Sequence, residues 1–373
     1  MTTLGGAGPF FIDLDGFIPK STYQYDMADP SEVELSIVHY LLRSAVTLGE
    51  GCGEDAWAVF KKFSRQCLAD ADLLARDWQN HGQPDWLRGF PETLKGSPDV
   101  TPSAVEDISF SFTLSPKIQA FSFPEERRIE ISAVTPVHLR TVNLVLWSEA
   151  MRIRWMVHDF KSKQPAGSPW GIQEMATVAW SLVRGRVDLL LPYLFSLYFS
   201  DVNYSGLPIP RAPNAALFAR SRQCALAQMQ FMLTHECAHL LMHENRDPDP
   251  SLEREADAFA YKTLLSEEGF WKSDHALFFT SNRWFFNYLA LDRIIGAVLS
   301  GYEIDWVDLP IRDRELPPEY LNGVLPFPSG EEQECQLIGN MILLRAKQDL
   351  SERGVDWIRS AASEFKARHC YSQ

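Results

Sequence analysis

The residues of this sequence best suited to chemistry lie in the segment THECAH, residues 234–239. Residues four apart on a helix lie on one face, so the imidazoles of His235 and His239 could reach a single metal ion. Glu236 would then lie beside the metal, where its carboxylate could take a proton from zinc-bound water, whose pKa is lowered to about 7. The spacing therefore predicts a hydrolytic zinc site with Glu236 as the general base.

A catalytic zinc site has three protein ligands and one open position, so a third ligand is needed. The segment LEREAD, residues 252–257, offers acidic candidates. Glu253 and Asp257 are four apart and share a helix face, so Glu253 could bind zinc while Asp257 accepts the second N–H of a ligand histidine. Glu255 has no acidic residue four positions away that could play the second of these roles. His239 and Glu253 are separated from the turn NRDPDP by similar numbers of residues. If the two helices pack antiparallel, both side chains therefore lie at the same height along the helix pair.

Simpler interpretations of these residues stay open. HExxH occurs by chance in a chain of this length at roughly the per cent level. Acidic residues in the first turn of a helix are also favoured by the helix dipole, whatever their function. However, His235 and His239 are embedded in an apolar run, where an unpaired buried pair would be costly. This context favours metal binding over a merely structural helix.

Hydrolysis of an amide also needs a donor that stabilises the oxyanion. No motif marks one. Tyr261 lies on the same predicted helix as Glu253, and His243 continues the four-residue spacing from His239. Both are candidates for this donor, although packing or surface roles explain them equally simply.

Two predicted helices must position the histidines and acids. Residues 215–245 contain neither Gly nor Pro and are rich in Ala, Leu, Met and Gln, which predicts one long helix. Asp249 and Pro250 form a typical N-cap and first helical residue, so a second helix begins there.

A short β-region precedes these helices. Apolar residues alternate from Ile108, and a Pro-Glu-Glu-Arg turn divides the segment IQAFSFPEERRIEISA, which predicts a β-hairpin and a small antiparallel sheet. A helix starting at Pro136 follows. The other predicted elements are helices over residues 29–48 and 54–80, a partly helical region over 170–204, a helix over 283–301, a proline-spaced loop over 305–329, and two helices starting near Glu331 and Val355.

Composition restricts the partners and the compartment. The chain of 373 residues has a formal net charge of -14, which opposes binding to nucleic acid or anionic lipid. The most apolar stretch, residues 187–199, contains Asp188 and Pro192 and is shorter than the roughly 20 residues of a membrane span. The amino terminus lacks the pattern of a secretory signal, and the six cysteines are scattered without a CxxC pair. We therefore expect a cytoplasmic protein that binds neither nucleic acid nor membrane.

The segment THECAHLLMHEN followed by LEREADAFAYKTLL resembles zinc metallopeptidases of the gluzincin type, whose signature is HExxH and a later E-x-x-x-D on the next helix. It is similar especially to the ImmA/IrrE-like peptidases and to the phage-exclusion (Lit-like) peptidases. The resemblance implies that His235, His239 and Glu253 bind Zn²⁺, that Glu236 is the general base, and that Asp257 supports a ligand histidine.

The sequence also departs from related patterns. Met242 and Asn245 stand where metzincins have the glycine and third histidine of their longer motif, so that class is excluded. The separation of His239 from Glu253 is short for an ImmA/IrrE-like protein. The resemblance thus defines the chemistry better than the family.

The resemblance implies a mostly helical α+β fold with a zincin-like core, made of a small antiparallel sheet and the active-site helix. The strand Ala120–Pro124 would be an edge strand that pairs with extended substrate. We predict a mainly helical N-terminal domain over residues 1–102, a metallopeptidase core over 103–300, and a C-terminal helical segment over 301–373 that packs on the core.

The implied function is a metalloendopeptidase that cleaves a limited set of proteins, in bacterial stress or phage defence, under control of a regulatory partner protein. Two alternatives stay open. One is a regulatory or binding module in which zinc only stabilises the two helices. The other is a zinc hydrolase whose substrate is not a peptide.

Overall fold

The computed structural model describes residues 94–95, 100, 102–113, 118–132, 135–165, 172–199, 215–243, 249–266, 271–302 and 330–370. The helices predicted over residues 29–48 and 54–80 and the loop predicted over 305–329 lie outside the described residues.

The described residues form eight α-helices and one small sheet, which confirms the mostly helical α+β class. The strands are β1 (Ser109–Thr113), β2 (Ala120–Phe123) and β3 (Arg128–Ser132). The helices are α1 (Pro102–Glu106), α2 (Thr135–Ser162), α3 (Ile172–Leu182), α4 (Val187–Phe195), α5 (Ala215–Met242), α6 (Pro250–Leu264), α7 (His275–Leu299) and α8 (Glu331–His369).

The predicted hairpin is confirmed, but the prediction of an antiparallel sheet is wrong. β2 and β3 pair antiparallel around a 3-10 turn at Pro124–Glu126, and Arg127 closes the turn in the left-handed region with φ 45°. β1 pairs with the other side of β3 and runs parallel to it, so the strand order is β1-β3-β2 and the sheet is mixed. Alternation of side chains reveals the faces of a strand but not the direction of its partner. For this reason the sequence pattern could not distinguish the two arrangements.

α5 is the central helix, and it packs against α2, α6, α7 and β2. Its uninterrupted run of good helix formers begins at Ala215 as predicted and ends at Met242, three residues before the predicted end. Because most of its faces are buried, its polar residues need partners inside the protein. Gln228 hydrogen-bonds Asn143 of α2 at 2.8 Å, and Gln230 accepts from the Trp271 indole N–H at 2.6 Å. These bonds fix the rotation of α5 and hence the direction of its histidines.

α6 begins as predicted. The Asp249 carboxylate accepts a hydrogen bond from the Ser251 main-chain N–H at 3.1 Å, and Pro250 occupies the first helical position. An Asp cap satisfies an N–H that the helix itself leaves unpaired, so it defines where the helix starts. The cap therefore sets the position of the acidic residues in the first two turns of α6.

α5 and α6 run antiparallel, as three successive contacts show. Phe231 packs on Tyr261 with ring centroids 4.9 Å apart, His235 meets Asp257, and His239 meets Glu253. Each step of one turn forward along α5 is a step of one turn back along α6. The two predicted groups of site residues thus face each other across one helix pair.

The remaining helices enclose this pair. The partly helical region contains α3 and α4, and α8 packs on α2, α4 and α7. α8 changes direction at Gly354, whose φ of 79° lies in the left-handed region, so the predicted start of a second helix at Val355 is confirmed. None of the described helices has the length and apolarity that crossing a membrane requires.

Candidate metal centre and active site

Two imidazoles of α5 converge at the centre of the candidate site. His235 is buried and His239 is partly buried, and their Nε2 atoms are 3.2 Å apart. They lie one helical turn apart, so the four-residue spacing places both rings on the face that meets α6. The structure therefore brings together the two histidines that the sequence pairs.

Glu253 of α6 completes a three-residue group. Its carboxylate oxygens lie 3.4 Å from His235 Nε2 and 3.5 Å from His239 Nε2. Ligand atoms bound about 2.1 Å from a tetrahedral zinc are about 3.4 Å apart, so the three separations match the requirement of a zinc site. His235, His239 and Glu253 are thus a group that could bind a metal ion.

Asp257 supports His235 from the side opposite the candidate metal position. Its Oδ1 lies 2.8 Å from His235 Nδ1, and both side chains are buried. Burial of the imidazole lowers its pKa, but the hydrogen bonds with Asp257 and Glu253 outweigh this and raise the pKa of His235 to about 9. With Nδ1 donating to Asp257, loss of the Nε2 proton leaves a lone pair that points at Glu253 and His239. Nitrogen and carboxylate acceptors facing each other in this way favour a cation between them.

His243 lies beside His239 rather than in the three-residue group. Its Nδ1 is 3.1 Å from His239 Nδ1, and its Nε2 is 3.3 Å from the Oε2 atom of Glu255. Glu255 has no carboxylate one turn away on α6, so the spacing of acidic residues does not predict a role for it. The informative pattern is a third histidine at the same four-residue spacing, just beyond the end of α5, facing an acid on the next helix.

Glu236 is partly buried and is the neighbour of His235 in the chain, beside the group formed by His235, His239 and Glu253. Burial raises the pKa of the Glu236 carboxyl, while the charge of His235 and hydrogen bonds from Ser122 act in the opposite direction. Ser122 of β2 donates both its hydroxyl and its main-chain N–H to this carboxylate. No pattern in the sequence predicts this contact, because no spacing rule relates a strand residue to a helix so distant in the chain.

Tyr261, the other candidate oxyanion donor, is buried among aromatic side chains. Its ring packs on those of Phe231, Phe278 and Phe279, with centroids 4.9, 5.9 and 5.6 Å away. Tyr261 lies one turn beyond Asp257 and two turns beyond Glu253 on α6. These neighbours indicate a packing role, and its role as an oxyanion donor stays a prediction.

A group of two histidines and one glutamate, with a second glutamate beside it, is an arrangement typical of metallopeptidases. Residues 205–281 match the family model described as IrrE N-terminal-like domain, Peptidase_M78. The match includes both helices of the candidate site and covers a minority of the chain. It supports a relation to the ImmA/IrrE-like metallopeptidases and a peptidase-like function for this part of the protein. No curated protein and no solved structure matches the chain significantly.

Proposed function

We propose that this chain is a zinc-dependent metalloendopeptidase of the gluzincin type, with a zincin-like core formed by the sheet, α5 and α6. The observation that carries the proposal is the convergence of His235, His239 and Glu253 at zinc-like separations, with Glu236 alongside. The match of residues 205–281 to a peptidase family model supports it.

In this proposal His235, His239 and Glu253 hold the zinc ion. Two nitrogen ligands and one oxygen ligand leave a position open for water or substrate, which distinguishes catalytic zinc sites from closed structural ones. A zinc ion held there would supply a Lewis acid that polarises a carbonyl and lowers the pKa of water.

Glu236 acts as the general base and then as the general acid. Its carboxylate takes the proton from the attacking water and delivers it to the nitrogen of the leaving amine. The burial that raises its pKa makes it a better proton acceptor than an exposed glutamate. The hydrogen bonds from Ser122 hold the carboxylate in place between these two transfers.

β2 binds the substrate chain. It lies at one edge of the described sheet and packs against α5. The Ser122 main-chain N–H donates to Glu236, so the edge of β2 that is not paired with β3 faces the catalytic carboxylate. An extended peptide added to this edge would lie across the site, held by main-chain hydrogen bonds. Protein or peptide substrates therefore fit the site better than small hydrolysable molecules.

The cellular setting is proposed on the family resemblance. By analogy with the ImmA/IrrE-like and phage-exclusion peptidases, we propose cleavage of a limited set of proteins, in bacterial stress or phage defence and under control of a partner protein. The matched family model supports the peptidase-like activity alone. No disulfide joins the described cysteines, and the net charge of -14 opposes nucleic acid binding, in keeping with a cytoplasmic enzyme that acts on proteins.

The decisive test compares the wild type with E236Q. Glutamine keeps the shape of the side chain but cannot accept the proton, so E236Q should bind zinc stoichiometrically and lose at least about a thousandfold of the cleavage rate. New protein amino termini are quantified by mass spectrometry in cells producing each form, and zinc is measured in the purified proteins. E364Q, which makes the same change at an exposed site on α8, is the matched control.

Two outcomes would contradict the proposal. Cleavage by E236Q at the wild-type rate would remove Glu236 from the mechanism. A wild type that binds zinc tightly but produces no new termini, and that unfolds when zinc is chelated, would instead identify the metal as a structural element of a binding module.

A further inference from the structure

We propose that His243 and Glu255 form a relay that orients His239 for metal binding. The relay gives His239 a support equivalent to the one that Asp257 gives His235. This inference rests on the proposed function, because it takes His239 to be a metal ligand. His243 is then a positioning residue and neither a ligand nor an oxyanion donor.

The contacts form one unbroken chain from the metal position to α6. His239 directs Nε2 towards Glu253 and His235, and its Nδ1 lies 3.1 Å from His243 Nδ1. His243 Nε2 then lies 3.3 Å from Glu255 Oε2. The two rings are tilted at 62° with centroids 5.1 Å apart, so they meet through their nitrogens and do not stack.

The direction of the hydrogen bonds follows from the metal. A histidine that binds a cation through Nε2 carries its proton on Nδ1. His239 therefore donates from Nδ1 to His243 Nδ1, which must be the acceptor. The remaining proton of His243 is on Nε2, where it faces a carboxylate acceptor, Glu255. When both rings are neutral, the two contacts each join a donor to an acceptor only if His239 presents its Nε2 lone pair to the metal.

Burial explains why this chain would hold His239 firmly. Only 3% of the His243 side chain is exposed, and its main-chain N–H bonds to His239 O at 3.2 Å just beyond the end of α5. A hydrogen bond shielded from water is stronger and fixes a ring orientation better than an exposed one. The simpler interpretation is a buried histidine that only joins α5 to α6, and such a histidine would affect stability without affecting zinc affinity.

The test measures the zinc dissociation constant of the full chain by competition with a chromophoric chelator. Loss of a residue that supports a ligand histidine weakens metal binding about 10- to 100-fold, so H243F should raise the dissociation constant by about that factor. H243N, whose Oδ1 can accept a hydrogen bond near the position of Nδ1, should recover part of the loss. The melting temperature of the metal-free variants separates affinity from stability.

Glu255 provides the second variant. Because 40% of its side chain is exposed, E255A should fold even if H243F does not, and it should raise the dissociation constant about 5- to 10-fold. If the two residues act as one relay, H243F/E255A should bind zinc no more weakly than H243F alone. H158F, which removes an imidazole contact of 2.9 Å to Glu334 between α2 and α8, is the matched control and should leave zinc affinity unchanged.

The outcomes distinguish this inference from the proposed function. A wild type that does not bind zinc overturns both. A wild type that binds zinc while H243F and E255A bind it within about twofold of the wild-type constant overturns the relay alone. The expected loss in H243F, its partial recovery in H243N and an unchanged H158F support the relay.

Discussion

His235 and His239 occupy successive turns of α5, but their Nδ1 atoms, which point away from the candidate metal position, meet different partners. His235 contacts a buried carboxylate directly, at 2.8 Å from Asp257. His239 reaches its carboxylate through a second imidazole, and that carboxylate, Glu255, is partly exposed. Asp257 supports His235 through a single buried contact. His243 and Glu255 support His239 through two successive contacts, and the second of these ends at a partly exposed carboxylate.

The difference follows from position on the helix pair. His235 lies opposite the second turn of α6, where a short side chain spans the gap between the packed helices. His239 lies near the end of α5, and His243 follows the last helical residue, Met242. We infer that the Asp257 support contributes more to metal affinity than the His243 support.

Replacing Asp257 should have the largest effect on zinc binding. D257A removes a buried hydrogen-bond acceptor from His235, a proposed zinc ligand, so we expect a loss of about 100-fold in zinc affinity, the upper end for such partners. D257N, which keeps an acceptor oxygen, should lose less. Chelator competition measures both. A smaller loss in D257A than in H243F would reverse the ranking of the two supports.

The stability of the metal-free protein should depend on pH through His235. Its pKa is about 9 in the folded protein and about 6.5 when unfolded, so protonated His235 stabilises the fold. This contribution is complete below about pH 6.5 and is lost as the pH rises to about 9. The melting temperature of the metal-free wild type should therefore fall over this range.

D257N is the variant that tests this pH dependence. It removes the charged partner that raises the pKa of His235, so its melting temperature should fall less over the same range. E255Q leaves that partner in place and should follow the wild type. Identical pH profiles for D257N and the wild type would show that the ion pair with Asp257 does not control this titration.

Ser122 should affect catalysis without affecting either histidine support. S122A removes the hydroxyl hydrogen bond to Glu236 but keeps the main-chain one, so kcat should fall about tenfold, the equivalent of one hydrogen bond. S122T keeps a hydroxyl and should restore most of the rate. Steady-state kinetics on a cleaved peptide and zinc affinity are measured together. Weaker zinc binding by S122A would show that Ser122 affects the three proposed zinc ligands rather than Glu236.

The smallest effect is expected at the start of α6. D249A removes the N-cap and should lower the free energy of unfolding by about 1 kcal/mol, whereas D249N retains a cap. Since α6 carries both Asp257 and Glu255, the change should weaken the two supports equally. Denaturant unfolding measures the stability. A selective loss of the His243 support in a D249A background would mean that the cap positions Glu255 but not Asp257.

Much of the helix pair could be predicted from the sequence. The span of α5, the cap at Asp249 and the shared face of Glu253 and Asp257 all follow from interactions within a few residues. The hairpin of β2 and β3 also follows from its local turn. The parallel pairing of β1 with β3 was missed, because the direction of a strand's partner is set by the packing of the sheet and not by a local pattern.

The sequence by itself determined which residues lie on one face of each helix, because helical periodicity is a local property. It therefore identified His235, His239 and Glu253 as a candidate group. Only the tertiary structure decided that Glu255 faces His243 and that Ser122 holds Glu236. These contacts join different elements, and their distances depend on the packing of α5 against α6 and β2, which no local pattern encodes.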